Sequence, residues 1–165
     1  LFYDKESRHC ETKCKKKIFL IKKPYYLKED DKVLIVLPYD DFKIYYFSDY
    51  TKYNIKPQEF SLVLTPDNYL KYISKARTFG FKSEINWLFK AGLIKGADLK
   101  NAVLIDKGKP VNTKFRFKDE ITRHKILDLI GDFGLLPGNS KMLVIAIKTG
   151  HKHNIMMVKK LLKMN

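Results

Sequence analysis

The chain is almost free of cysteine: Cys10 and Cys14 are the only two in 165 residues. A pair this close, in a chain with enough apolar residues for a core, is no disulfide framework. His9-Cys10 and Cys14 make at most half a metal site, and no second Cys/His half follows, so the thiols read as incidental. No apolar run approaches the roughly 18–20 residues that cross a bilayer as a helix. The N-terminus lacks the shape of a signal peptide, because Asp4, Lys5, Glu6 and Arg8 interrupt its apolar residues. Position 1 is Leu, not Met, and the chain reads as a piece of a longer one. There is no internal repeat and no low-complexity tract. Acidic residues are missing altogether from 141–165.

Hydrophobic residues make up 45% and aromatics 13%, which supports one folded domain and excludes global disorder. The formal charge is +15, and it sits at the ends. Residues 1–28 hold nine Lys/Arg and three Asp/Glu, and residues 141–165 hold six Lys. Basic ends suit nucleic acid, anionic lipid or a phosphate-bearing substrate. No zinc-finger spacing or aromatic RNA-binding pattern accompanies them, so nucleic acid is the weaker partner. A lysine-rich composition alone is the simplest explanation.

Extended segments come first: Lys17 to Lys23, Val33 to Leu37, Lys43 to Ser48 and Glu59 to Leu64, with a turn at Pro38–Asp41. Thr65-Pro66 reads as an N-cap and first helical residue of a helix reaching Lys75. Arg77–Phe81 interrupts, a helical stretch covers Ser83 to Ala91, and Ala102 to Asp106 is a strand. A helix spans Lys118 to Phe133, a strand Met142 to Lys148, and a final helix Asn154 to Lys163. Strands with a few helices predict an α+β fold, with helices layered on one sheet.

The helix around Arg123–Asp132 carries the chemistry. With Ile121 at zero, His124, Asp128, Asp132 and Lys125 fall within about 300–40° at about 100° per residue. Ile126, Leu129, Ile130 and Phe133 gather on the other side, at about 80–180°. An imidazole and a carboxylate four residues apart can chelate one metal ion. A solvated face with an i,i+4 pair is the plainer alternative. Gly131 beside the stripe leaves room for another element to approach. Lys148-Thr149-Gly150-His151 closes an apolar strand, a common position for a site residue.

Four motifs occur in order: Ala76-Arg77-Thr78-Phe79-Gly80-Phe81, Asn101-Ala102-Val103, Asp119-Glu120 through Arg123–Asp132, and Lys148–His151. They resemble UDP-3-O-acyl-N-acetylglucosamine deacetylase, a zinc enzyme of lipid A synthesis. The likeness is best from Phe60 to His151. That family has two similar domains, each a two-layer α/β sandwich, with the active site between them. The resemblance implies that residues 15–165 are the second domain, helices on one face of a mixed sheet with a small inserted unit. Residues 1–14 match poorly.

It also implies roles. His124 and Asp128 become two ligands of a catalytic Zn²⁺, Thr78 an oxyanion donor and His151 a general acid oriented by Asp132. Lys125 becomes a substrate contact near the diphosphate. Phe79, Phe81, Trp87 and Leu88 fall in the unit that passes the substrate's acyl chain, although core packing serves those aromatics equally well. The substrate would be a UDP-linked acylated amino sugar. The location would be cytoplasmic, near the inner membrane. The family's first domain supplies a zinc ligand and the general base from a Glu-His pair. Here the four histidines follow Arg, Arg, Gly and Lys. The site is thus expected to be incomplete and inactive alone, or the chain to be an inactive remnant. Thr149 replaces the family's Ser, and Lys152–Ile155 departs from its usual run.

Overall fold

A computed structural model describes residues 18–84 and 102–164. Nine strands can be followed: β1 Ile18–Leu20, β2 Tyr25–Glu29, β3 Lys32–Leu37, β4 Phe42–Tyr50, β5 Ile55–Val63, β6 Thr78–Phe81, β7 Ala102–Asp106, β8 Lys109–Pro110 and β9 Asn139–Ile147. Helix α1, Pro66–Asn68, runs into a π-helical turn at Tyr69–Ile73; α2 is Glu120–Phe133 and α3 is His151–Met164. The main sheet is mixed, in the order β2-β3-β9-β4-β5, and β1 pairs with the start of β9. The α+β architecture read from the sequence is the one observed.

Alternation explains the layers. On β3, β4 and β9 every second residue is buried: Leu34 and Val36, Ile44 and Tyr46, Met142, Val144 and Ala146. That face meets Ile126, Leu129 and Phe133 of α2 and Met157, Val158 and Leu161 of α3 in one apolar core. Their spacings of three and four put them on a single face of each helix. Burying side chains of this size contributes about 1.5–3 kcal/mol each. Both helices therefore lie on the same side of the sheet.

β6, β7 and β8 form a separate three-stranded sheet. It has its own small core of Ile55, Phe81, Val103, Ile105 and Ile121. This is the small extra unit that the sequence implies. Arg77–Phe81 is not merely a break between helices: its last four residues are β6, paired in parallel with β7. Gly108 turns β7 into β8 at φ +79°, where an added Cβ would lie 2.3 Å from the Asn54 carbonyl oxygen. Only glycine fits there.

Other boundaries move as well. Thr65 does cap α1, its hydroxyl accepting from the Asn68 N–H at 3.1 Å. The regular helix then gives way to the π-turn and ends at Ile73. The final helix begins at His151, three residues before the position its apolar pattern marks. The start of the Ser83–Ala91 stretch is described, but Trp87 and Leu88 lie outside the described residues, as do residues 1–14 with His9 and both cysteines.

Candidate active site

α2 and the first turn of α3 meet where the predicted stripe lies. His124, Lys125, Asp128 and Asp132 have side chains only 16%, 13%, 14% and 13% exposed. A solvated helix face would be far more open, so the plainer reading of the stripe does not hold.

Asp128 is the hub. Its Oδ2 accepts from Lys125 Nζ at 2.6 Å. Its Oδ1 lies 3.3 Å from His124 Nε2 and 3.8 Å from His151 Nε2. One carboxylate oxygen thus stands between two imidazoles that are far apart in sequence. Burial pushes the His124 pKa below the ordinary imidazole value; the Asp128 charge opposes this, while Lys125 and His151 add to the lowering. The ring is then neutral at physiological pH. Its Nδ1 is buried, and a hydrogen bond with the Ala76 backbone also opposes the lowering. A neutral imidazole nitrogen and a carboxylate oxygen facing one another at this distance suit a shared cation. Two donors are half of the usual tetrahedral zinc shell, and no group of three His, Cys, Asp or Glu able to hold a metal occurs among the described residues.

His151 is built differently. It opens α3, and its side chain is 66% exposed. Nδ1 contacts both oxygens of Asp132, at 3.0 and 2.8 Å. A carboxylate only accepts, so the proton sits on Nδ1 and Nε2 faces outward toward Asp128. Asp132 is itself held: Asn154 Nδ2 donates to its Oδ2 at 2.9 Å. Asn154 is 1% exposed, and its Oδ1 lies 3.3 Å from the Thr149 hydroxyl. The Tyr46 hydroxyl donates to the Thr149 carbonyl, which fixes the turn feeding His151 into α3. Sequence reasoning missed Asn154 and Tyr46; the Asn three residues after His151, one helical turn on, was the only available signal for the former.

Thr78 starts β6 and is exposed. Its place is set by the preceding Arg77, whose backbone N–H and Nε both donate to Glu120 Oε1, at 3.1 and 2.9 Å. Arg77 also donates to Thr113 Oγ1 at 3.0 Å and to the Lys114 carbonyl at 2.7 Å. The side chains of Arg77 and Glu120 are 9% and 1% exposed. This pair bolts β6 to the start of α2. Phe79 meets the His124 ring edge-on, with centroids 6.0 Å apart. Phe81 instead turns into the small core and stacks on Tyr53 at 3.5 Å. Gly131 has no close neighbour among the described residues: a Cβ there would meet nothing within 4 Å. The expected close approach is therefore not seen.

A cleft of about 450 Å³ opens at the ends of β3, β4 and β9, lined by Lys32, Lys52, Lys148, Asp31, Asp49 and Tyr50 among others. Tyr50 is pushed up to about 12 by burial and then by the Asp128 charge, which ties the cleft to the cluster electrostatically. Lys148 reaches Asp31 at 2.6 Å and Asp49 at 3.3 Å. Its φ is +56°, an uncommon conformation for lysine. The two-residue β2–β3 turn brings Asp31 there, with Asp30 at φ +53°. Lys148 stands in the quoted Lys-Thr-Gly-His motif, yet its side chain was given no role.

A family model described as UDP-3-O-acyl N-acetylglycosamine deacetylase matches residues 5–163. A UDP-3-O-acyl-N-acetylglucosamine deacetylase of Thermodesulfovibrio yellowstonii is 40% identical over 146 residues, covering 88% of this chain and 50% of the relative. Proteins of the same name from Syntrophus aciditrophicus and Coxiella burnetii are 38% and 37% identical, covering 90% and 92% of this chain and 47% and 51% of theirs. The chain spans about half the length of the curated relatives it matches.

Proposed function

The chain belongs to the UDP-3-O-acyl N-acetylglycosamine deacetylase family, and from that membership we propose that it supplies one half of an active site for acetamide hydrolysis. The substrate is a UDP-linked, 3-O-acylated N-acetylamino sugar of lipid A synthesis. The observation that carries this reading is Asp128 Oδ1 set between His124 Nε2 and His151 Nε2, with His151 clamped by Asp132.

Each residue has a task in the reaction. His124 and Asp128 would hold Zn²⁺. When bound, the ion supplies Lewis-acid polarisation of the scissile carbonyl and of the attacking water. Water adds to the acetamide carbon, the C–N bond breaks, and acetate leaves the amine. Thr78 Oγ1 donates to the carbonyl oxygen as charge develops on it. His151, protonated on both nitrogens, gives its Nε2 proton to the departing amine nitrogen, while Asp132 stabilises the cationic ring through Nδ1. Lys125 is pinned by Asp128 and offers positive charge to the diphosphate. Phe79, with Trp87 and Leu88 in the stretch beyond the described residues, flanks the acyl chain; Phe81 supports Phe79 from the small core.

The third zinc ligand and the base that activates water come from the other half of the protein. The site works in the cytoplasm, close to the inner membrane. The test is reconstitution. The chain is mixed with the separately produced first half of the Thermodesulfovibrio relative, and acetate release from the acylated UDP-sugar is followed. Activity is expected in the mixture only, with loss in His124→Ala and His151→Ala. Deacetylation by the chain alone at the mixture's rate would contradict the half-site. A folded but inactive mixture would favour an inactive remnant.

A further inference from the structure

The sheet face turned away from α2 and α3 carries an unusual surface. Residue pairing across the strands fixes its layout. Val33, Ile147 and Phe47 form one row, Ile35, Ile145 and Tyr45 the next, and Leu37 and Leu143 a third. Tyr26 extends the second row on β2 and is 56% exposed. Leu20 and Ile18 continue the surface along β1 and are 49% and 56% exposed. These alternate with the buried positions on the same strands, so they point away from the core. None of the partly buried hydrophobics packed against the main core comes from this set. A one-sided antiparallel or mixed sheet normally presents polar residues here. Among the described residues, nothing covers this face.

Its charges are one-sided. Lys28 stands beside Val33, Lys43 beside Leu143, and Lys141 beside Leu20. Among the described residues none of the three lysines makes an ion pair. Glu59, an acid on this face, accepts from the Tyr45 hydroxyl. A second copy of the chain would set one lysine-bearing face against another, which is repulsive. An anionic bilayer offers both an apolar interior and a negative surface.

We propose that this sheet face docks on anionic phospholipid membrane, with the apolar rows at the headgroup boundary and Lys28, Lys43 and Lys141 on lipid phosphates. The inference rests on the half-site reading in one respect: the missing half must reach His124 and Asp128, which lie on the helix side, and so leaves the sheet face open. His124, Asp128 and His151 then stand on the membrane-distal layer.

The experiment is co-sedimentation of the full 165-residue chain with vesicles of equal parts phosphatidylglycerol and phosphatidylcholine, and with phosphatidylcholine alone. Binding is expected to the first only, and to weaken with salt. Lys43→Gln should reduce partitioning about fivefold, the worth of one lysine at an anionic surface. Lys159→Gln, on the helix layer, should leave it unchanged. The double variant Ile35→Thr with Ile145→Thr keeps β-branched residues and should lower binding further with an unaltered circular dichroism spectrum. No binding, or binding indifferent to Lys43 and Ile35, would overturn the proposal. So would a concentration-dependent dimer lost in the double variant. If the complementary half abolishes vesicle binding, that half occupies the sheet face and both readings fall. Vesicle binding alongside a failed reconstitution would sink the half-site alone.

Discussion

Asn154 is the residue whose role is least visible in the sequence and most exposed to test. It donates to Asp132 from a fully buried position, and Asp132 in turn orients His151. Groups one step behind a reacting residue typically matter by 10–100-fold. Asn154→Ala in the reconstituted enzyme should lower kcat by about 10-fold or more with KM little changed. An equal rise in KM would mean that Asn154 acts on binding. A second residue-level expectation concerns Glu120. Burial raises its pKa, but Arg77 and the Arg116 N–H outweigh that, and the net direction is down. Its folded pKa is thus below its unfolded one. The stability it contributes is present above the unfolded value and is lost as pH falls through the folded value. Glu120→Gln should flatten the acid limb of a stability–pH curve. Glu120→Ala strands the Arg77 charge and should cost about 3–5 kcal/mol in chemical denaturation. Asn154 was marked in the sequence only by its spacing from His151, and Glu120 not at all by its role, because each works through a partner 22 or 43 residues away.

Among the elements, α2 was the most legible, since four apolar residues and four site residues separate cleanly at helical spacing. β3, β4 and β9 were legible for the matching reason, a two-residue alternation. β6 was not, because Thr78-Phe79-Gly80-Phe81 is short and its Gly reads as a break; pairing with β7 is what makes it a strand. The start of α3 was missed because Gly150 precedes it and no capping residue marks it. Gly131 is the element-level oddity. A mid-helix glycine with open space around its Cα should be improved by alanine. Gly131→Ala is expected to raise the stability of the isolated chain by about 1 kcal/mol, read as a higher denaturant midpoint at constant slope. If the same variant reconstitutes poorly, the glycine serves contact with the other half. A destabilised Gly131→Ala chain would mean that some segment outside the described residues packs there.

At the scale of the whole molecule, the chain is a two-layer unit with chemistry at the edge of its helical layer and an apolar, basic sheet behind it. Its relatives are about twice as long, which accords with the proposed half-site. His124 and Asp128 offer two donors, and His151 is committed to Asp132 through Nδ1. Family and fold were readable from ordered motifs and from periodicity. The cleft around Lys148 was not, because a two-residue turn and a strand end meet there only once the sheet is assembled. The half-site is tested most directly by zinc titration of the metal-free chain, alone and then with the complementary half. Expected is weak, substoichiometric binding at micromolar zinc by the chain alone, and tight one-to-one binding by the pair that is lost in Asp128→Ala. Tight one-to-one binding by the chain alone would contradict it.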